Sequence, residues 1–246
     1  MSSQLVTMTG ISKRYPGVLA LDNANFDLKA GEVHALVGEN GAGKSTMMKI
    51  LSGIVTEDSG KILLEGKAIR LHGPRSAQDL GISIIHQELN LMPDLTIAQN
   101  IFIGREPRRF KFILNDSGLV KEAEKLFAEL HLNLDPNRKV EGLSVAQQQL
   151  VEIVKALSYN SRVLIMDEPT AALGVRETAK VEDLIKRMKA QGLAILLISH
   201  NFDQVLRLSD QIWVMRQGDV MAGLRSKDTS GDELVALITG AKSGKG

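Results

Sequence analysis

The chain has 246 residues, a formal net charge of +1, 43 % hydrophobic residues and no cysteine. That length suits one compact domain carrying a sizeable inserted lobe, with enough apolar content for a buried core. The near-neutral charge excludes a strong field for nucleic acid or an anionic membrane surface, and the missing thiols exclude disulfides and thiolate metal sites, as in a reducing compartment.

Residues 5–9 and 20–28 alternate apolar and polar side chains and read as strands. A turn over 29–32 leads into the short apolar strand 33–37. There follows Gly38-Glu39-Asn40-Gly41-Ala42-Gly43-Lys44-Ser45-Thr46, a complete G-x-x-x-x-G-K-[ST] loop. This spacing holds the phosphates of a nucleoside triphosphate in a cage of backbone N–H groups. The glycines permit φ > 0, and the helix opening at Lys44 aims its positive end at the anion. Lys44 is expected to reach the β- and γ-phosphates, and the Ser45 hydroxyl to ligate Mg²⁺. The helix continues through Leu51, a turn spans 57–60, and 61–71 reads as a hairpin bending at 65–67. Residues 81–86 read as a buried strand ending at Gln87.

From 89 to 159 the pattern turns helical. Thr96 can cap a helix through Ile103, and 119–130 is amphipathic. Ser144-Val145-Ala146-Gln147 is a capping box opening a helix to Leu157. Alternation then resumes: strand 163–166, helix 176–189, strand 193–199, a short helix after His200, and strand 211–215. The last pairs through 217–219 with 220–222, and a final helix spans about 232–238. Residues 241–246 read as a loose tail. Strand–helix alternation implies a mainly parallel, helix-covered sheet, with 87–161 as an inserted helical lobe.

Several absences shape the expected setting. No run approaches the ~20 apolar residues that cross a bilayer. No basic region with a long apolar run opens the chain, so a soluble subunit is expected, with any membrane role exercised through a separate partner. No internal repeat occurs, so a tandem of two such units is not expected here. The densest basic cluster, residues 105–111, reads as a solvated loop.

A phosphate loop alone permits kinases, GTPases, motor ATPases and transporters. Val163-Leu164-Ile165-Met166-Asp167-Glu168 narrows the choice. Four apolar residues suit a parallel strand buried on both faces, and ligand chemistry sits at the carboxyl ends of such strands. Asp167 is placed to hold Mg²⁺ through water, and Glu168 to polarise an attacking water.

With these motifs the chain resembles the ATP-binding cassette (ABC) ATPases over residues 5–240. Leu143-Ser144-Val145-Ala146-Gln147 matches the family's L-S-G-G-Q signature at three of five positions. The resemblance implies the following. The fold is an α/β P-loop NTPase core, with an N-terminal antiparallel β subdomain and the helical subdomain. Residues 1–86 and 162–240 form the core and β subdomain. Ser144, Val145, Ala146 and Gln147 close on ATP bound to a second ATPase cassette, either the other copy of a homodimer or a fused or paired copy. Gln87 contacts Mg²⁺ and the attacking water, His200 contacts the γ-phosphate, and Tyr15 stacks on adenine. His34, His72, His86 and His131 match no such role and read as structural.

Val145 and Ala146 stand where many relatives have glycine, and Gly174 where many have a bridging aspartate. Residues 84–91, 95–106 and 149–157 are similar to the monosaccharide-import branch. That likeness implies an ATPase on the cytoplasmic face of the membrane, peripheral to integral-membrane permease subunits and fed by an extracytoplasmic sugar-binding protein, with no nucleic-acid partner. A soluble non-transport ABC ATPase and a nucleotide-gated regulatory module are the alternatives.

Overall fold

The computed structural model describes residues 4–105, 108–109, 113–114 and 116–242. Of the expected loose tail over 241–246, residues 243–246 lie outside the described residues, as does most of the expected basic loop over 105–111; Lys242 is tied back, its N–H donating to the Ala236 carbonyl at 3.0 Å.

Strands β1 (Gln4–Tyr15) and β2 (Val18–Lys29) form an antiparallel ribbon that runs longer than their short alternating runs suggest. Register shifts between Met8 and Tyr15 let the ribbon twist, and Gly10 supplies a left-handed residue (φ 65°) at the principal one. The extension carries Tyr15 to the turn at the ribbon's tip. Strand β3 (Val33–Gly38) is buried throughout and runs into helix α1 (Lys44–Leu51). Strands β4 (Ser59–Leu64) and β5 (Lys67–Ile69) join the ribbon in a four-stranded sheet ordered β2-β1-β4-β5.

Helix α2 (Pro74–Asp79) has no counterpart in the sequence reading. Six residues are too few to show a helical period, although a proline in the first turn is a start signal. Strand β6 (Ile82–Ile85) is followed by α3 (Ile97–Ile101), which ends two residues earlier than expected. The hairpin β7 (Arg108–Arg109) and β8 (Ile113–Leu114) was likewise not anticipated. Helices α4 (Asp116–Glu129) and α5 (Val145–Leu157) complete the helical stretch. The chain then alternates through β9 (Val163–Asp167), α6 (Val175–Ala190), β10 (Ala194–Ile198) and α7 (Phe202–Leu208). It closes with β11 (Gln211–Arg216), β12 (Asp219–Arg225) and α8 (Gly231–Thr239).

The main sheet is ordered β12-β11-β3-β10-β9-β6, parallel except for β12. Residues 163–166 of β9 and all of β10 are apolar at every step because each face is covered by a different core. On β9, Val163 and Ile165 pack toward α1 and the antiparallel sheet, whereas Leu164 and Met166 pack toward the helical stretch. Strand β10 divides likewise, with Leu196 and Ile198 on one side and Ile195 and Leu197 on the other. The helical stretch thus shares its core with the sheet: Ile97, Ile101, Phe127 and Val151 join Leu164 and Leu197 in one cluster. This two-sided burial fixes the heights of β3, β9 and β10, whose carboxyl ends meet at one cleft.

Candidate nucleotide site

The cleft encloses about 550 Å³ where the loop after β3 meets the ends of β9 and β10. Tyr15, Asn40, Gly41, Gly43, Lys44, Ser45, Thr46, Gln87, Asp167, Glu168 and His200 all line it. Residues from five separate stretches of sequence are thereby brought together.

The loop is shaped by backbone demands that other residues cannot meet. Gly43 has φ 105° and directly precedes α1; a Cβ there would stand 2.7 Å from the Ala20 carbonyl oxygen. At Gly38 a Cβ would collide with the carbonyl oxygen of Met215 on the neighbouring strand. The first turn of α1 leaves its leading N–H groups without intrahelical acceptors, so the cradle is a ready anion site. Lys44 is 7 % exposed, and its ammonium donates to the carbonyls of Gly38 (2.7 Å) and Glu39 (3.0 Å). Burial lowers its pKa, and the nearby charges of Glu168 and Asp167 oppose that shift.

Asp167 ends β9, paired in register with Ile198 of β10. Burial raises its pKa, against the counter-pull of His86, Lys44 and His200. Glu168 follows at φ 48°, a left-handed conformation uncommon for a non-glycine residue. Its N–H donates to the Ile198 carbonyl at 2.9 Å, which pins this turn against β10. Its carboxylate faces His200, with Oε1 3.5 Å from His200 Nε2. That Oε1 is buried with no hydrogen-bond partner. Burial raises the Glu168 pKa, with His200 pulling it back. A strained backbone and an unpartnered buried oxygen at a cleft are features that packing alone would not select.

At the other end, Tyr15 is half-buried beside Val18, which is 58 % exposed. Asp58 fixes this tip by accepting from the Lys13 ammonium and the Arg14 N–H, both at 2.7 Å. Tyr15 and Val18 form an apolar shelf of the kind that takes a planar base. Val18, Ala20 and Ala171 line the cleft and escaped the sequence reading. An exposed valine just past Pro16-Gly17 was the available signal.

Ser144, Val145, Ala146 and Gln147 are not among the residues lining this cleft. Ser144 and Val145 lie exposed at the start of α5, where the capping box forms as expected. Ser144 Oγ accepts from the Gln147 N–H at 3.3 Å, and Gln147 Oε1 from the Ser144 N–H at 3.1 Å. Gly174 caps α6 with φ −71°, a conformation open to any residue, and its N–H donates to Glu177 at 3.1 Å. His34 is fully buried between the Asp27 carbonyl (2.8 Å) and Glu32 (3.0 Å), a structural placement.

The donor set tests what the cleft can hold. Ser45, Gln87 and Asp167 line the cleft with hydroxyl, amide and carboxylate oxygens, the hard ligands that suit Mg²⁺ when phosphates and water complete the shell. These residues fit a magnesium–nucleotide complex.

Comparisons with known proteins agree with that geometry. Residues 21–171 match the family described as ABC transporter. The chain is 54 % identical over 237 residues to the putative ribose/galactose/methyl galactoside import ATP-binding protein 1 of Burkholderia lata, covering 96 % of this chain and 46 % of that protein. It is 45 % identical to the ribose import ATP-binding protein RbsA 1 of Streptomyces avermitilis, covering 97 % and 45 %. The chain therefore spans about half the length of the curated relatives it matches. Among solved structures it is similar to a nucleotide-free ATP-binding cassette from an ABC transporter, with TM-score 0.82, 28 % identity and coverage of 97 % and 96 %. The ADP conformation of an ATP-binding cassette of an ABC transporter gives TM-score 0.83 at 28 % identity, with the same coverage.

Proposed function

Because this chain belongs to the ABC transporter family, we propose that it binds and hydrolyses ATP to energise a membrane importer whose cargo is a monosaccharide. The observation that carries the chemistry is the unpartnered Glu168 oxygen facing His200, opposite a complete phosphate cradle. The names of the sugar-import relatives support the cargo class.

In this reading Tyr15 and Val18 hold the adenine, and the N–H groups of residues 40–46 bind the phosphates. Lys44 turns from its carbonyls to the β- and γ-phosphates. Ser45, Asp167 and Gln87 hold Mg²⁺, which neutralises phosphate charge when bound. Glu168 accepts a proton from the attacking water, and His200 steadies the γ-phosphate. Catalysis is then mostly positioning and charge neutralisation. Ser144 and the N-terminus of α5 close on a nucleotide held by a second cassette, because they stand outside their own cleft.

Among the described residues no helix is long and apolar enough to cross a membrane. The proposed setting is the cytoplasmic membrane face, with Gln87 and the lobe over 87–161 meeting integral permease subunits, which an extracytoplasmic sugar-binding protein supplies. The test is phosphate release with and without the permease in vesicles. Stimulation by the permease together with its sugar-loaded binding protein is expected. Hydrolysis indifferent to any permease would favour a soluble ATPase instead, and tight ATP binding without turnover would favour a regulatory module.

A further inference from the structure

Outside the cleft, a buried polar cluster joins the segments that follow β9 and β10. Gln204, on the first turn of α7, is 1 % exposed. Its Oε1 accepts from the hydroxyls of Ser199 (3.0 Å) and Thr170 (3.2 Å). Its Nε2 donates to Thr170 Oγ1 (2.9 Å) and to Glu182 Oε1 of α6 (3.2 Å). Glu182, 6 % exposed, is held in turn by Arg207 through Nε (3.1 Å) and Nη2 (2.5 Å). Asn201 closes the cluster: its N–H donates to Ser199 Oγ and its side chain caps α7 through the Gln204 N–H.

These contacts join the two loops that carry the reacting pair. Thr170 lies two residues beyond Glu168, and Ser199 directly precedes His200. We infer that Gln204 is a positioning residue that holds the Glu168 turn in register with His200. The inference rests on the hydrolytic reading above for its effect on turnover, but not for its effect on structure.

The chemistry requires a carboxamide. One group must accept from two hydroxyls and donate to a carboxylate, and only an amide offers both an acceptor oxygen and two donors at one end. A glutamate here would set two buried carboxylates against each other. An apolar residue would leave Ser199, Thr170 and Glu182 short of partners in a low-dielectric site. The backbone tie from Glu168 N–H to Ile198 would survive either change. The side-chain register of the two loops would not.

The test uses Gln204→Met, which keeps volume and helix propensity, and Thr170→Val, which cuts one loop while sparing the Glu182–Arg207 pair. Amide hydrogen exchange is read over residues 167–174 and 198–202, with 38–50 as the internal control. Phosphate release is normalised to bound nucleotide. Both variants are expected to exchange about tenfold faster in the two loops but not in the control, as loss of one buried hydrogen-bonded link implies. Turnover should fall about tenfold or more with the ATP dissociation constant held within about twofold, the signature of lost positioning. Gln204→Glu should be worse than Gln204→Met, because it sets a second buried carboxylate against Glu182. Unchanged loop exchange in both variants, or unchanged turnover per bound nucleotide alongside faster exchange, would overturn the assignment. A parent protein that binds ATP without releasing phosphate would refute hydrolysis, and the exchange arm would then decide the positioning claim alone.

Discussion

The general-base role proposed for Glu168 calls for a poorly solvated carboxylate, and burial of that kind carries a cost. The Glu168 side chain is 16 % exposed, burial raises its pKa, and one oxygen has no donor. The native state therefore holds the Glu168 proton more tightly than the unfolded chain does, and ionisation above the ordinary carboxylate range subtracts from stability. Glu168→Gln removes that burden. Its melting temperature should exceed the parent's at neutral pH by at least about 1 °C, and the margin should shrink as pH falls to where the unfolded carboxyl is also protonated. Scanning calorimetry across pH checks this; a margin that grows toward acid would contradict it. The same variant should bind ATP normally and lose about 100-fold or more of its turnover, as expected for a missing general base. Lys44→Ala should instead weaken ATP binding itself by about tenfold or more, since a charge-assisted phosphate contact disappears. Equilibrium binding and phosphate release separate the two effects.

Helix caps were the most legible elements because their rule is local. The boxes at Thr96 and Ser144 form with both reciprocal hydrogen bonds. The apolar run 163–166 was equally plain, since both faces of that strand are covered by apolar cores. What the sequence hid was either short or non-local. Six-residue α2 shows too little period, and the shelf of Val18 against the phosphate loop depends on how the ribbon folds back. Gln204 resembles any exposed polar helix residue until pairing of β9 with β10 sets Thr170 and Ser199 beside it. Ser144 illustrates how a local role can mask another. As a cap it is worth about 1 kcal/mol, so Ser144→Ala should lower stability by roughly that amount. Ser144→Asp keeps a good cap while setting a negative charge toward a partner's phosphates. Denaturant midpoints should therefore drop for Ser144→Ala and hold for Ser144→Asp, whereas turnover should fall more in Ser144→Asp. Equal turnover in the two would confine Ser144 to capping.

At the scale of the whole molecule, the sheet's two-sided burial ties the cleft to the helical stretch through a shared core, which includes Leu143 just before Ser144. Ser144 does not line the cleft of its own chain, and the proposed composite site takes one face from each of two cassettes. Complementation tests this geometry directly. Lys44→Ala spoils the phosphate cradle, and Ser144→Arg obstructs the opposing helix end. Each variant alone contains a defect in both composite sites of a symmetric pair, so each should be inactive. In a mixed pair both defects fall in one site, and the other combines an intact cradle with an intact helix end. At equal amounts half of the pairs are mixed and each has one good site, so phosphate release should return to about a quarter of the parent value. The dependence on mixing ratio should follow the product of the two fractions, with its maximum at equal amounts. Inactivity at every ratio, under conditions where the mixed pair is shown to form, would reject two independently working composite sites. Full activity of Ser144→Arg alone would instead mean that each cleft works unaided.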